Sequence, residues 1–306
     1  MSQNGKVIVT GAAGYLGKPL CVRLGRERAI PLYHRTPMED GIQFDALTME
    51  LEDVIDSPAE ITHGVIFHAD SSPNACSEDI ERSNALNHDS SIAVIDSLIR
   101  MGIKPVFASS EAVFGQDKDG PYTESDIPEP VFAYGRQKVA VENYLRGTCD
   151  DYLIIRIARV YGSDADDLTG YEDWLDKIAH GGTIRCADDQ IMSPACRDDA
   201  VEGTCRLIDL NLSGIYHLPG ARPILRIDLL QLLIDEVRRI RPVDVVVERC
   251  SLHDFEVIEP RPLNSTMESA KIIEDTGLQL TPYETIVQRL AERFRPVGVA
   301  AGARLT

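Results

Sequence analysis

Short apolar runs recur along the first half of the chain, at residues 6–10, 30–34, 64–69, 105–109 and 152–157, with stretches of helical period between them. Runs of that length predict strands buried on both faces, and their alternation with helices predicts a parallel sheet. Leu16, Leu20 and Leu24 keep a four-residue spacing, and Ile92, Ile95 and Ile99 follow a similar one, so the crossovers read as amphipathic helices. The fold class that follows is α/β, a Rossmann-type doubly wound parallel sheet over residues 1–160.

Beyond Tyr161 the pattern loosens into an acidic stretch, Ser163-Asp164-Ala165-Asp166-Asp167, then a helix near 171–179 and a strand at 183–187. A second helix over 227–240 carries Leu229, Leu230, Leu233, Ile234 and Val237 on one broad face. Asp228 near its start and Arg238 and Arg239 near its end suit the helix dipole. A strand at 243–247 and a closing helix through Ile286, Leu290 and Phe294 complete the pattern. Residues 161–187 and 217–294 are thus expected to form a smaller α/β substrate lobe. A segment near 188–216 is expected to return to the first domain, and 295–306, rich in Gly and Ala, to be a loose tail.

Composition narrows the classes of function. With 306 residues, 43% apolar and 26% charged, the chain has ordinary globular usage, which excludes disorder, collagen and coiled coil. Lys plus Arg (31) against Asp plus Glu (49) leaves a net charge of −18, which repels phosphate backbones and anionic lipid. Nucleic acid and membrane surfaces are therefore not expected partners. No run approaches the roughly 18 apolar residues of a spanning helix, and the start carries no secretory apolar core, so a cytoplasmic location is expected. The 7 cysteines are scattered and form no CxxC pair, which fits reduced thiols rather than zinc or disulfide frameworks. The acidic stretch at Asp164, Asp166 and Asp167 lacks a matching ligand set, so no metal is expected and the stretch reads as a solvated loop.

Directly after the first strand comes Thr10-Gly11-Ala12-Ala13-Gly14-Tyr15-Leu16-Gly17, a GxxGxxG run that opens the first helix. Gly11 permits a tight turn, Gly14 lets backbone approach a pyrophosphate, and Gly17 lets helix pack on sheet, with the anion at the helix N-terminus. Pro19 falls in the first helical turn, where a missing N–H is tolerated. The second strand ends at Tyr33-His34-Arg35, where an NAD enzyme places an acid on the ribose. Arg35 is open to two readings: a guanidinium that pairs with a 2′-phosphate, favouring NADP(H) over NAD(H), or a solvated arginine on a surface loop.

Tyr134 and Lys138 stand at i and i+4 at the start of a helix running through Ala140, Val141 and Tyr144. That spacing puts them on one face, where an ammonium lowers a phenol's pKa from its free value of about 10 toward neutrality. Alone, the pair is also compatible with a surface tyrosine beside a lysine. Upstream, Ser109-Ser110-Glu111 closes a central strand at its carboxyl end, where open α/β sheets bind ligands. Ser110 is suited either to a substrate oxygen or to capping a turn.

Gly11–Gly17, Ser110, Tyr134 and Lys138 together resemble the extended short-chain dehydrogenase/reductase family over nearly the whole chain. The resemblance implies a catalytic set of Ser110, Tyr134 and Lys138, with Lys138 also holding the nicotinamide ribose. It implies dinucleotide contacts from Gly11, Gly14, Tyr15, Leu16, Gly17, Asp45, Ala46, His68, Ala69 and Ile157, and a structural role for Asn87. Further on, Asp189-Gln190-Ile191-Met192-Ser193-Pro194, Gly214-Ile215-Tyr216-His217-Leu218 and Arg261-Pro262-Leu263-Asn264-Ser265 are similar to segments of the dTDP-4-dehydrorhamnose reductase type. That type implies NADPH-dependent reduction of a keto group on a nucleotide-activated deoxysugar. It sets Arg159 beside the substrate and Arg261 near its diphosphate, although Arg261 also suits a salt bridge within the lobe.

The departures are informative. Ser110-Glu111-Ala112 replaces the Thr-Asp-Glu of 4,6-dehydratases, which disfavours dehydration. Reductases of the rhamnose type carry Thr and Asp at Ser110 and Glu111 and Trp at Arg159, so the sugar is expected to differ. Glu111 is open between a contact to a sugar hydroxyl and a solvated loop acid. Two other functions share the fold: an NAD-dependent sugar-nucleotide 4-epimerase, and a non-catalytic regulatory subunit like that of methionine adenosyltransferase. The family also implies a homodimer through the helix bearing Tyr134.

Overall fold

The apolar runs are strands because both of their faces are covered. The computed structural model describes residues 5–115 and 118–295. Its first half runs β1 (Lys6–Thr10), α1 (Gly17–Leu24), β2 (Ala29–Tyr33), β3 (Ile42–Gln43), β4 (Ile61–Ile66), α2 (Pro73–Glu78), α3 (Ile80–Asn84), α4 (Ser90–Arg100), β5 (Lys104–Ser110), α5 (Ala133–Thr148) and β6 (Leu153–Ile157). The second half runs β7 (Val160–Tyr161), α6 (Glu172–His180), β8 (Gly182–Ala187), β9 (Ile191–Met192), β10 (Ala195–Cys196), α7 (Arg197–Asp209), β11 (Gly214–Leu218), β12 (Ile224–Leu225), α8 (Arg226–Ile240), β13 (Val245–Cys250), α9 (Ala270–Thr276) and α10 (Tyr283–Ala291). Of the tail expected at 295–306, residues 296–306 lie outside the described residues.

Seven strands make one parallel sheet in the order β11-β6-β5-β4-β1-β2-β3. Alternate side chains enter opposite cores. Val7 and Val9 of β1 and Leu153, Ile155 and Ile157 of β6 join α1 and α7 on one face. Ile8, Phe107 and Ile154 join α4 and α5 on the other. A separate core gathers Trp174, Leu175 and Ile178 of α6 with Leu229, Leu230 and Leu233 of α8 and Ile286 and Leu290 of α10. There β8 and β13 pair in parallel. Chain order reverses between β1 and β4, and at such a switch point a crevice opens outside the carboxyl ends of the strands.

Two boundaries moved for local reasons, and one expectation held. The run read as a strand over 64–69 is β4, which ends at Ile66, and Phe67-His68-Ala69 leaves the sheet. His68 is instead pinned between the Thr10 and Ser90 hydroxyls, 2.8 and 3.0 Å away. The last predicted strand is β13, displaced toward Cys250 by its register on β8. Pro19 is the third residue of α1, where its missing N–H has no intrahelical partner to lose.

One buried ion pair fixes α5 against the sheet. Arg156 of β6 donates from Nη2 to Glu142 Oε2 at 2.7 Å and from Nε to Oε1 at 3.0 Å, with both side chains 1% exposed. Ser109 donates its hydroxyl to the same carboxylate. Asn87, in a π-helical turn at Ala85–Asp89, accepts from Asp70 N and donates to Gln137 Oε1, tying the segment after β4 to α5. Among the described residues, no helix is long and apolar enough to cross a membrane.

Removing one partner of a buried pair leaves the other charged and desolvated. Glu142→Ala should therefore lower unfolding free energy by about 3–5 kcal/mol in denaturant titrations, whereas Glu142→Met with Arg156→Met should cost markedly less. Equal losses in the single and double variants would contradict this account.

Candidate active site

A cavity of about 680 Å³ opens at the switch point. Each of its walls comes from the end of an element. Gly11, Gly14, Tyr15, Leu16 and Gly17 arrive after β1, Ala69 after β4, Ser110 and Glu111 after β5, Tyr134 and Lys138 from the start of α5, and Ile157 and Arg159 from the end of β6. Arg261 closes the far side. These thirteen site residues expected from the sequence meet in one place. The other four do not line the cavity. His68 sits behind the glycine loop, where burial draws its imidazole down to about 4 and leaves it neutral. Arg35, Asp45 and Ala46 stand beyond the glycine loop, at the ends of β2 and β3.

The glycine loop fits a dinucleotide phosphate. Gly11 has φ +64°, and a Cβ there would lie 2.7 Å from the His68 backbone nitrogen, so the chain can pass only without a side chain. The loop delivers the N-terminus of α1, the positive end of the helix dipole, to the cavity.

The catalytic side chains are assembled by a close approach of α5 to the turn after β5. A Cβ at Gly135 would stand 2.1 Å from the Ala112 carbonyl oxygen, so glycine lets the helix rest on that turn. Tyr134 thereby lines the same cavity as Ser110. Lys138 donates to the Ala108 carbonyl at 2.8 Å, and its Nζ lies 5.5 Å from the Tyr134 ring centre. Ser110 caps the turn after β5: its hydroxyl accepts from Ala112 N at 3.2 Å and donates to Glu111 Oε2 at 3.0 Å, and the residue lines the cavity.

Two electrostatic expectations need correction. The i, i+4 spacing predicts a Tyr134 pKa lowered by Lys138, but the phenol is raised instead, chiefly by burial and then by the Glu111 carboxylate. Burial outweighs the lysine, whose own pKa falls to about 8 for the same reason. Tyr134 is thus a protonated phenol at neutral pH. Nor is Glu111 a solvated loop acid. It lies against Ser110 and the Arg159 backbone, and burial raises its pKa against the pull of those hydrogen bonds.

The acidic stretch is also only partly solvated. Asp167 is 8% exposed, accepts from the Tyr15 hydroxyl at 2.7 Å and pairs with Arg197 Nη1 at 2.7 Å. It straps the segment after β7 onto the glycine loop. Among the described residues, no group of three His, Cys, Asp or Glu side chains is placed to hold a metal ion.

Arg226, which the sequence reading missed, also lines the cavity. Its guanidinium lies 5.8 Å from the Trp174 ring centre and 5.7 Å from that of Phe255, its Nη1 donates to Gln190 at 3.3 Å, and its buried Nε has no partner. The available signal was a cation at the first residue of a helix, against the preference of the dipole. Arg159, Arg226 and Arg261 make no ion pair with a described residue, unusual company in a chain of net charge −18.

Comparison with known proteins identifies the family and the fold. A family model described as the RmlD substrate binding domain matches residues 5–295. The chain is 26% identical over 298 residues to a probable low-salt glycan biosynthesis reductase, Agl14, of Haloferax volcanii, covering 94% of this chain and 97% of that protein. It is 26% identical over 240 residues to the dTDP-4-dehydrorhamnose reductase of Salmonella typhimurium, covering 76% of this chain and 77% of that one. The crystal structure of dTDP-4-dehydrorhamnose reductase from Bacillus anthracis in complex with NADP shares the fold, with a TM-score of 0.77 at 22% identity over 94% of this chain and 98% of that one.

The lowered Lys138 pKa has a consequence for stability. Between about 8 and the unfolded value of about 10.4 the unfolded chain binds more protons, so burial of Lys138 penalises the fold fully below pH 8 and progressively less above it. Lys138→Met should raise the Tm at pH 7, and the gain should shrink as the pH rises from 8 to 10. A gain that is absent, or constant with pH, would contradict the assignment.

Proposed function

The chain belongs to the RmlD substrate binding domain family, within the extended short-chain dehydrogenases/reductases, and on that premise we propose that it is an NADPH-dependent reductase of a keto group on a nucleotide-activated deoxysugar. As a member it is an oxidoreductase that uses a nicotinamide dinucleotide. One observation carries the finer reading. Ser110, Tyr134 and Lys138 converge at the switch point of the sheet, in a cavity also lined by Arg159, Arg226 and Arg261, whose guanidiniums make no ion pair with a described residue. Such guanidiniums suit a diphosphate, which takes planar paired hydrogen bonds. On this reading residues 1–160 with the returning 188–216 hold the dinucleotide, and 161–187 with 217–294 hold the sugar nucleotide.

When bound, the dinucleotide supplies the hydride that reduces the carbonyl carbon. The chain's own residues manage the oxygen. Ser110 orients it by hydrogen bonding, and Tyr134, kept protonated by burial, delivers its phenolic proton to the developing alkoxide. A raised pKa suits this direction, since the group must be an acid at the moment of reduction. Lys138, between the Ala108 carbonyl and the Tyr134 ring, holds the ribose and offers its ammonium to the phenolate left behind.

Arg35 favours NADPH. It is exposed at the end of β2 with no partner among the described residues, while the nearby Asp45 carboxylate accepts from Leu47 N at 3.0 Å and lies 3.7 Å from His34 Nε2.

Fluorescence titrations with NADPH and NADH, with and without 4-keto sugar nucleotides, test the reading. NADPH should bind more tightly, and Arg35→Ala should erase the preference. Tyr134→Phe should leave NADPH affinity intact while turnover falls by about 10²–10⁴. Tight NADPH binding without oxidation by any 4-keto sugar nucleotide would overturn the substrate assignment.

A further inference from the structure

The helix that carries Tyr134 lacks a cap of its own. Phe132, at the N-cap position of α5, supplies no side-chain hydrogen bond. The first amide of the helix, Ala133 N, donates instead to Glu259 Oε2 at 2.7 Å, from 126 residues further along the chain. The same carboxylate receives the Arg136 guanidinium from the next turn of α5 and the Ser77 hydroxyl from α2. These partners hold it ionised, with its pKa drawn down to about 2.

Two residues on, Arg261 enters the cavity from the same segment. Its Nη1 donates to the Glu259 carbonyl at 3.1 Å and its Nη2 to Asn74 Oδ1 of α2 at 2.6 Å, and its guanidinium lies 4.7 Å from the Phe132 ring centre. Residues 259–261 therefore close a ring with α2 and the start of α5. One end of the ring is a guanidinium facing the substrate cavity, and the other is the amide immediately before Tyr134.

We propose that Glu259 is a positioning residue, which ties the grip of Arg261 on the sugar nucleotide to the placement of Tyr134. The proposal rests on the substrate reading above for the identity of the ligand that Arg261 holds. An anion drawn to Arg261 bears on the 259–261 backbone, and Glu259 transmits that constraint to the first turn of α5. Because a displacement of about 1 Å at a reacting group costs about 10²-fold in rate, a clasp of this kind acts on turnover more than on cofactor binding.

Hydrogen exchange at the amides of residues 133–138, with UDP and dTDP as probes, reads the clasp without turnover. A nucleoside diphosphate should slow exchange there in the wild type, and Glu259→Gln should both speed basal exchange and abolish the slowing. In steady state, Glu259→Gln should lower kcat by about tenfold or more while the NADPH Kd stays within about twofold, a split that general destabilisation does not produce. Ser77→Ala removes one donor and should give a smaller change of the same kind, which keeps the test available if Glu259→Gln does not fold. Exchange at 133–138 that ignores both the diphosphate and Glu259→Gln, or a kcat within about twofold of wild type, overturns the proposal. Diphosphate-dependent protection without reduction of any keto sugar nucleotide would overturn the substrate reading alone.

Discussion

The site depends on the seating of α5 along the carboxyl end of β5. Its face carries Tyr134, Lys138 and Glu142 at four-residue intervals, and each meets a fixed feature of the sheet or of the turn after it. Gly135 lets the helix touch the Ala112 carbonyl, Lys138 reaches the Ala108 carbonyl, and Glu142 takes Arg156 and Ser109 in a buried, charge-matched socket. The deepest of these contacts is the strongest constraint. Charges buried to 1% exposure tolerate little displacement, so the helix cannot slide without leaving one of them unpaired.

That seating also sets the electrostatics of the reacting groups. The burial that locks α5 in place removes water from Tyr134, Lys138 and Glu111, and each shifts toward its neutral form. A neutral phenol lining the same cavity as a serine hydroxyl suits proton delivery to an oxygen gaining charge. The substrate side of the cavity is different in character. Its arginines have no carboxylate partner among the described residues, so within an acidic protein the cavity is a local positive site on a chain that otherwise repels anions.

The substrate side is joined to the glycine loop and to the catalytic helix by separate carboxylates. Asp167 receives Tyr15 and Arg197, and Glu259 receives Ala133, Arg136 and Ser77. Each carboxylate gathers donors from two elements distant in sequence, so each relates parts of the molecule that hydrophobic packing alone leaves free to shift.

The periodicity of short apolar runs and the glycines after β1 determined the doubly wound sheet, because burial on both faces and a tight phosphate turn are local requirements that any such fold must write into adjacent residues. The Tyr134–Lys138 spacing and the Ser110 position were legible for the same reason: helix geometry and strand ends are set by neighbours in sequence. Only the tertiary structure decided that Tyr134 is raised rather than lowered, that Asp167 is a strap rather than a solvated acid, that Arg226 lines the cavity, and that Glu259 caps the start of α5. Those outcomes depend on desolvation and on partners as far as 126 residues away, and a residue's spacing from its neighbours carries no record of either.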